Sequence, residues 1–230
     1  MKAKKKNLVL QGQEIFSSDV CFEIISIIDD SWFILKNCSL ISKQFFNVIK
    51  ERSKLFIEFK TKFTETRIEL FMKSQFMNSI VNVKFSKMLF DSIEKAKFIT
   101  EMKQLTLLDI GGNQIGDEGI KPISKMKQLT SLYVYNNQIG VAGAKYIGEM
   151  KQLTSLTISG NYIGDTGAKF ISEMKQLTSL NTCYNEIGVE GAKSISEMKQ
   201  LTSLEIGGNR VGDEGAKFLI EMKRLKSLDI

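Results

Sequence analysis

Six methionines, Met102, Met126, Met150, Met174, Met198 and Met222, stand 24 residues apart, and the first five each open the run Met-Lys-Gln-Leu-Thr. Five full units are followed by a fragment that ends at Ile230. This period restricts the fold more than any composition does. A unit of this size cannot bury a core alone, so units must stack into a solenoid in which each repeat packs on its neighbours.

The order within a unit gives its local structure. Leu108 and Ile110 alternate with Leu107, Asp109 and Gly111, the period-two pattern of a short strand with one buried face. Ile115 begins the return. Gly116-Asp117-Glu118-Gly119 supplies turn glycines and a carboxylate where a helix would start, and Ala144, Ile147 and Met150 are spaced along one helical face. Stacking such units puts the strands into a parallel concave sheet and the helices on a convex back.

The order Leu105-x-x-Leu108-x-Ile110-x-x-Asn113-x-Ile115, repeated from Leu129, Leu153, Leu177 and Leu201, resembles the leucine-rich repeat. The fold class is therefore α/β, a horseshoe of leucine-rich repeats over residues 102–230. Asn113, Asn137, Asn161, Asn185 and Asn209 form one column after the strands, and their amides suit turn backbone that leaves the sheet, as a structural ladder. Outward strand positions read Asp109, Tyr133, Thr157, Asn181, Glu205 and Asp229 in one column, and Gly111, Tyr135, Ser159, Cys183 and Gly207 in the next. Against a constant background these variable positions are the candidate substrate-binding face. Tyr133, Tyr135 and Tyr184 are expected to make a central aromatic patch, flanked by carboxylates that suit a protein or peptide of basic or mixed character. Thr182 stands where other units have Ile110, Val134, Ile158 and Ile206, which points a hydroxyl at the core.

Several function classes lose support from composition. The 230 residues contain no histidine, which removes the usual general base, the usual metal ligand and every Ser/His or Cys/His arrangement. No enzymatic activity, cofactor or metal is expected. Cys21, Cys38 and Cys183 are unpatterned and read as free thiols. The net charge of +6 comes largely from the columns Lys127/Lys151/Lys175/Lys199 and Lys145/Lys169/Lys193/Lys217, interleaved with Glu149, Glu173 and Glu197 and without a row of aromatics. That is a solvated surface rather than a nucleic-acid interface. No apolar run has the length of a membrane span, and no signal-peptide core follows Lys2 to Lys6, so a cytoplasmic location is expected. The same lysine cluster is the one feature that would suit nuclear import.

The N-terminal third differs in texture. Residues 1–13 read as a flexible basic tail. Over residues 14–52, Phe16-Ser17-Ser18-Asp19 offers helix caps before Val20, Ile24, Ile27 and Ile28, and two further short amphipathic helices follow around Trp32, Leu35 and Cys38 and around Leu40, Ile41, Phe45, Val48 and Ile49. Asp19-Val20, Glu23-Ile24-Ile25, Ile28-Asp29-Asp30 and Leu40-Ile41-Ser42-Lys43-Gln44-Phe45 resemble an F-box. The resemblance implies a three-helix head that docks on the adaptor subunit of an SCF ubiquitin ligase through Phe16, Ile24, Ile28, Leu35, Ile41 and Phe45, with the following repeats holding the protein to be ubiquitinated. Residues 53–101, with Leu55-x-Ile57-x-Phe59, Ile80-x-x-Val83-x-Phe85 and a near-copy of 168–173 at 96–101, read as degenerate repeats that cap the solenoid.

The expected function is thus a protein-interaction adaptor of a eukaryotic ubiquitin conjugation pathway. The alternatives are a free-standing repeat scaffold or inhibitor, and a GTPase-activating repeat protein using Arg210, the arginine beside the asparagine column. Leu225, Leu228 and Ile230 have no polar unit over them, and self-association through this last repeat is expected.

Overall fold

The computed structural model describes residues 56–59, 69, 80–85 and 97–230. The basic tail, the F-box-like head and most of the stretch between head and repeats lie outside the described residues.

Eight parallel strands form one sheet in chain order. They are β1 Phe56–Phe59, β2 Asn82–Phe85, β3 Leu107–Asp109, β4 Ser131–Tyr133, β5 Ser155–Thr157, β6 Ser179–Asn181, β7 Ser203–Glu205 and β8 Ser227–Asp229. Five helices return behind β3 to β7: α1 Gly116–Ile123, α2 Val141–Gly148, α3 Gly164–Ser172, α4 Val189–Ser196 and α5 Gly212–Ile220. Because the units have equal length, each strand comes back in register, with Leu108 beside Leu132, then Leu156, Leu180 and Leu204. These leucines are buried, as are Ile110, Val134, Ile158 and Ile206 two residues on. The helices add Ile120, Ala144, Ala168, Ala192 and Leu219 to the same core. At the front, Phe59 stacks on Phe85 at 5.3 Å, and Phe98 meets Phe85 edge-on at 5.9 Å. Lys97–Glu101 forms a 3-10 turn, although its near-copy at 169–173 covers the end of an α-helix.

Every residue of Met-Lys-Gln-Leu-Thr has a physical reason. Met126, Met150 and Met174 and the leucines Leu129, Leu153 and Leu177 are buried, while the lysines between them face solvent. The Gln128 amide donates to the Met102 carbonyl at 3.2 Å, Gln152 to Met126 at 3.0 Å and Gln200 to Met174 at 2.9 Å. The Thr130, Thr154, Thr178 and Thr202 hydroxyls each donate to the carbonyl of the threonine one unit earlier. Two of the five side chains therefore bond unit to unit and hold the spacing that buries the other apolar two.

The helix starts alternate. In the first, third and fifth units the helix begins at a glycine in the left-handed region, Gly116 at φ 57°, Gly164 at 57° and Gly212 at 61°. In the second and fourth units the corresponding Gly140 and Gly188 are extended, and the helix begins one residue later at Val141 or Val189. The carboxylate expected to serve its own helix serves the next one instead. Asp117 Oδ1 accepts the Gly140 N–H at 2.7 Å, and Asp165 Oδ1 accepts the N–H groups of Gly188 at 2.6 Å and Gly191 at 3.0 Å. An aspartate in an odd unit thus satisfies helix-start donors in the even unit that follows. The physical repeat is a pair of units, 48 residues long, and the 24-residue period is its approximation.

Candidate functional site

The sheet's outer face is a continuous line of side chains because the strands are in register. Glu58 pairs with Lys84, Lys84 with Asp109, and the line runs on through Tyr133, Thr157, Asn181, Glu205 and Asp229. Glu58 and Lys84 belong to this line although the 24-residue pattern does not reach them. Asp109 through Asn181 are half-buried, whereas Glu205 and Asp229 are exposed. On one side lies a column of serines, Ser131, Ser155, Ser179, Ser203 and Ser227, and on the other Tyr135, Ser159 and Cys183, each half-buried except the exposed Ser227.

The three tyrosines do not gather into one central patch. A side chain on Gly111 would lie 2.1 Å from the Tyr135 ring, and one on Gly208 would lie 2.4 Å from the Tyr184 ring. Tyr135 thus leans forward onto the first unit and Tyr184 backward onto the fifth, because those units offer glycine where a ring can lie flat. Tyr184 is 70% exposed and sits at φ 55°, a left-handed backbone conformation that a bulky residue rarely adopts. Tyr184 belongs to neither outward column, standing three residues past the end of β6 at Asn181.

The two halves of the face differ in charge. At the front, Lys84 is ion-paired with Glu58 at 3.2 Å, and this contact raises the Lys84 pKa, with Asp109 adding to it. Burial raises the Asp109 pKa, opposed by the Gly111 N–H that Asp109 accepts at 3.1 Å and by Lys84. Burial also raises the Tyr135 pKa. At the back, the Asn181 amide donates to Glu205, and Asn181 Oδ1 accepts the Cys183 N–H at 3.1 Å. Burial lifts the Cys183 thiol above its ordinary value, and Glu205 and Asp229 push in the same direction.

The asparagine column lies beneath the sheet's exit and is committed to backbone. Asn137 Oδ1 accepts the N–H groups of Asn113 and Ile115, and its Nδ2 donates to the carbonyls of Ile110 and Tyr135. Asn161 and Asn209 bond in the same way one and three units on, and Asn185 donates likewise, to the carbonyls of Ile158 and Cys183, while accepting the Ile163 N–H at 3.5 Å. Arg210 projects into solvent, 4.0 Å from Glu186, with both side chains mostly exposed. On the convex side a furrow of about 510 Å³ runs between α3 and α4, where Lys169, Lys175 and Lys193 alternate with Glu173, Glu190 and Glu197. Among the described residues no group of histidine, cysteine, aspartate and glutamate side chains is arranged to hold a metal ion, and no helix is long and apolar enough to cross a membrane. Phe16, Ile24, Ile28, Leu35, Ile41 and Phe45, the head residues expected to meet an adaptor subunit, lie outside the described residues.

Residues 151–211 match a family model described as "Leucine rich repeat", and residues 103–124 match another described as "Leucine Rich repeat". The chain carries leucine-rich repeats. Its fold is similar to that of internalin C2 from Listeria monocytogenes str. 4b F2365, with a TM-score of 0.58 and 19% identity over 79% of this chain and 73% of that one. It is also similar to TLR13 in its complex with ssRNA13, with a TM-score of 0.58 and 17% identity over 76% of this chain and 25% of that one. At these identities the likeness is one of fold. No curated protein matches the sequence. Leucine-rich-repeat proteins are generally protein-interaction modules.

Proposed function

We propose that this chain is a non-enzymatic protein-interaction adaptor, in which the concave sheet face holds a substrate protein and residues 14–52 engage the adaptor subunit of an SCF-type ubiquitin ligase. One observation carries the first half. Inward positions of the sheet are near-constant apolar residues, while the outward line changes chemistry at each strand from Asp109 to Glu205 and ends on two carboxylates, Glu205 and Asp229. A surface that varies on an invariant scaffold is where specificity resides in a solenoid. The second half rests on the F-box resemblance of the head.

The test uses the intact chain. Tyr133→Ala with Tyr135→Ala is expected to abolish capture of substrate proteins from a eukaryotic lysate while leaving adaptor binding unchanged. Ile41→Asp with Phe45→Ala is expected to do the reverse. Unchanged capture by the tyrosine variant moves recognition off the concave face. Absence of adaptor binding by the unaltered chain leaves a free-standing repeat module whose head caps the solenoid. That second reading is favoured by Phe16-Ser17, which stand where the F-box family opens with Leu-Pro.

A further inference from the structure

We infer that the back half of the concave face, over β6 to β8 and beside Tyr184, receives a lysine or arginine side chain from an extended basic segment of the partner protein. This rests on the concave face being the recognition surface and adds which half of it binds and what chemistry it takes.

The first and fifth units carry matching local sequences, Leu108-Asp109-Ile110-Gly111-Gly112-Asn113 and Leu204-Glu205-Ile206-Gly207-Gly208-Asn209, which differ only in aspartate against glutamate. Each therefore presents a carboxylate outward from its strand, followed by two glycines and the buried asparagine turn. In both, a tyrosine ring from another unit lies over one of the glycines, Tyr135 over Gly111 and Tyr184 over Gly208. The units differ in what stands on the preceding strand. Beside Asp109 it is Lys84, whose ammonium group attracts Asp109 as well as its ion-pair partner Glu58. Beside Glu205 it is Asn181, a neutral amide that donates to the carboxylate and leaves its charge uncompensated.

The next strand adds a second carboxylate, because Asp229 is in register with Glu205. Neither Glu205 nor Asp229 is ion-paired with a lysine or arginine among the described residues. Like charges on directly opposed sheet positions repel, so the pair costs stability that a cation between them would return. The front of the face thus contains its own ammonium group where the back has none. Tyr184 supplies a ring held outward on a left-handed backbone, suited to cover an aliphatic stem or a guanidinium plane. The carboxylates disfavour a nucleic-acid backbone, and a sheet face lined by the serine column and Thr157 admits an extended peptide.

Two fluorescent peptides test this, one with arginine alternating with glycine and one with citrulline replacing each arginine. The arginine peptide is expected to bind the full chain, to weaken as salt rises, and to shift the backbone amide resonances of Tyr184, Gly207 and Gly208. Glu205→Gln with Asp229→Asn is expected to weaken it at least tenfold, with the circular dichroism melt unchanged or slightly raised, because both side chains are exposed and the substitutions remove a repulsive pair. Equal binding of the two peptides overturns the inference, as do unchanged affinity in the variant and resonance shifts confined to Lys84 and Asp109. Sedimentation that shows self-association abolished by the same variant, with no arginine-peptide binding, makes the occupant a lysine column of a second copy and also overturns it. If substrate capture depends on Tyr133 and Tyr135 but not on Glu205 and Asp229, this inference falls and the concave reading stands. If the arginine peptide binds as expected but substrate capture ignores all four residues, the concave reading falls instead.

Discussion

Replacing Asn137 with alanine separates the structural role of the asparagine column from a binding role. Four backbone groups bond to this side chain, which is 0% exposed, but they do not lose equally. The Ile110 carbonyl keeps a bond from Asn113 Nδ2 at 3.2 Å, and the Tyr135 carbonyl keeps one from the Gly112 N–H at 2.8 Å. The N–H groups of Asn113 and Ile115, at 3.0 and 3.3 Å from Asn137 Oδ1, lose the acceptor described for them. A buried donor left without a partner costs about 1–3 kcal/mol, so Asn137→Ala is expected to cost about 2–6 kcal/mol. Asn209→Ala strips the same two kinds of donor, the N–H groups of Asn185 and Ile187, but Asn209 is only half-buried and water can replace it. Its cost is expected at about 1–2 kcal/mol.

Urea unfolding followed by circular dichroism measures both, and the slope of the transition shows whether the repeats still unfold together. A lower slope for Asn137→Ala means the units on either side have uncoupled, the expected failure of a solenoid broken at one interface. Equal losses for the two variants refute the reasoning, since desolvation is the only difference it invokes.

Other substitutions probe the scaffold and the face. Thr182→Val is expected to raise stability by about 1 kcal/mol and the melting temperature by roughly 2–4 °C, because the buried Thr182 hydroxyl reaches only the Glu205 carbonyl, at 3.4 Å, which already accepts the Thr182 N–H at 2.8 Å; a lower melting temperature contradicts this. Gly148→Ala puts a methyl group 2.7 Å from the Phe170 carbonyl oxygen, where α2 and α3 touch. Overpacking of about 1–3 kcal/mol outweighs the roughly 1 kcal/mol that alanine gains in a helix, so the urea midpoint should fall, and a rise would show that the helices part freely. Asp109→Asn is expected to stabilise the protein near neutral pH. Burial raises the folded-state pKa of Asp109, so its favourable contribution is complete below the unfolded value of about 3.9 and is lost as pH rises through the folded one. The gain from asparagine should therefore vanish in acid, and a gain that persists there would assign it to something other than ionisation.

Much of the architecture is legible because the same residues recur. Strand, helix, stacking direction and the buried columns follow from Leu108, Ile110 and Ala144 and their copies, since period and apolar spacing leave no other arrangement. The pairing of units is also written in the sequence, in Asp117, Asp165 and Asp213 alternating with Val141 and Val189. It is missed when the stronger 24-residue signal of Met-Lys-Gln-Leu-Thr is read alone. Positions of aromatic rings were less legible. Whether Tyr135 and Tyr184 meet depends on where glycines leave room in neighbouring units, and strand alternation says nothing about that. Lys84 lies in a unit that departs from the repeat, so only the strand register brings it to Asp109.

Scaffold and outer sheet face are joined at one column. Residues 112, 136, 160, 184 and 208 all have left-handed backbone, occupied by glycine in odd units and by Asn136 or Tyr184 in even ones. Each even-unit side chain lies over the glycine of the odd unit after it, so that a side chain on Gly160 would lie 1.9 Å from Asn136 Oδ1, as one on Gly208 would collide with the Tyr184 ring. The alternation therefore does more than organise helix starts. It provides a bare backbone site on every second unit, and the residue before that site decides whether a small amide or a large ring is laid there. A methyl group at position 208 would meet two penalties, left-handed backbone for a non-glycine residue and displacement of the Tyr184 ring. The second has no equivalent at Gly116, Gly164 or Gly212, which are left-handed but open. Exposure of Tyr184 is consequently a property of the unit pair rather than of its own unit. A change of the surface at this point can arise at position 184 or at position 208.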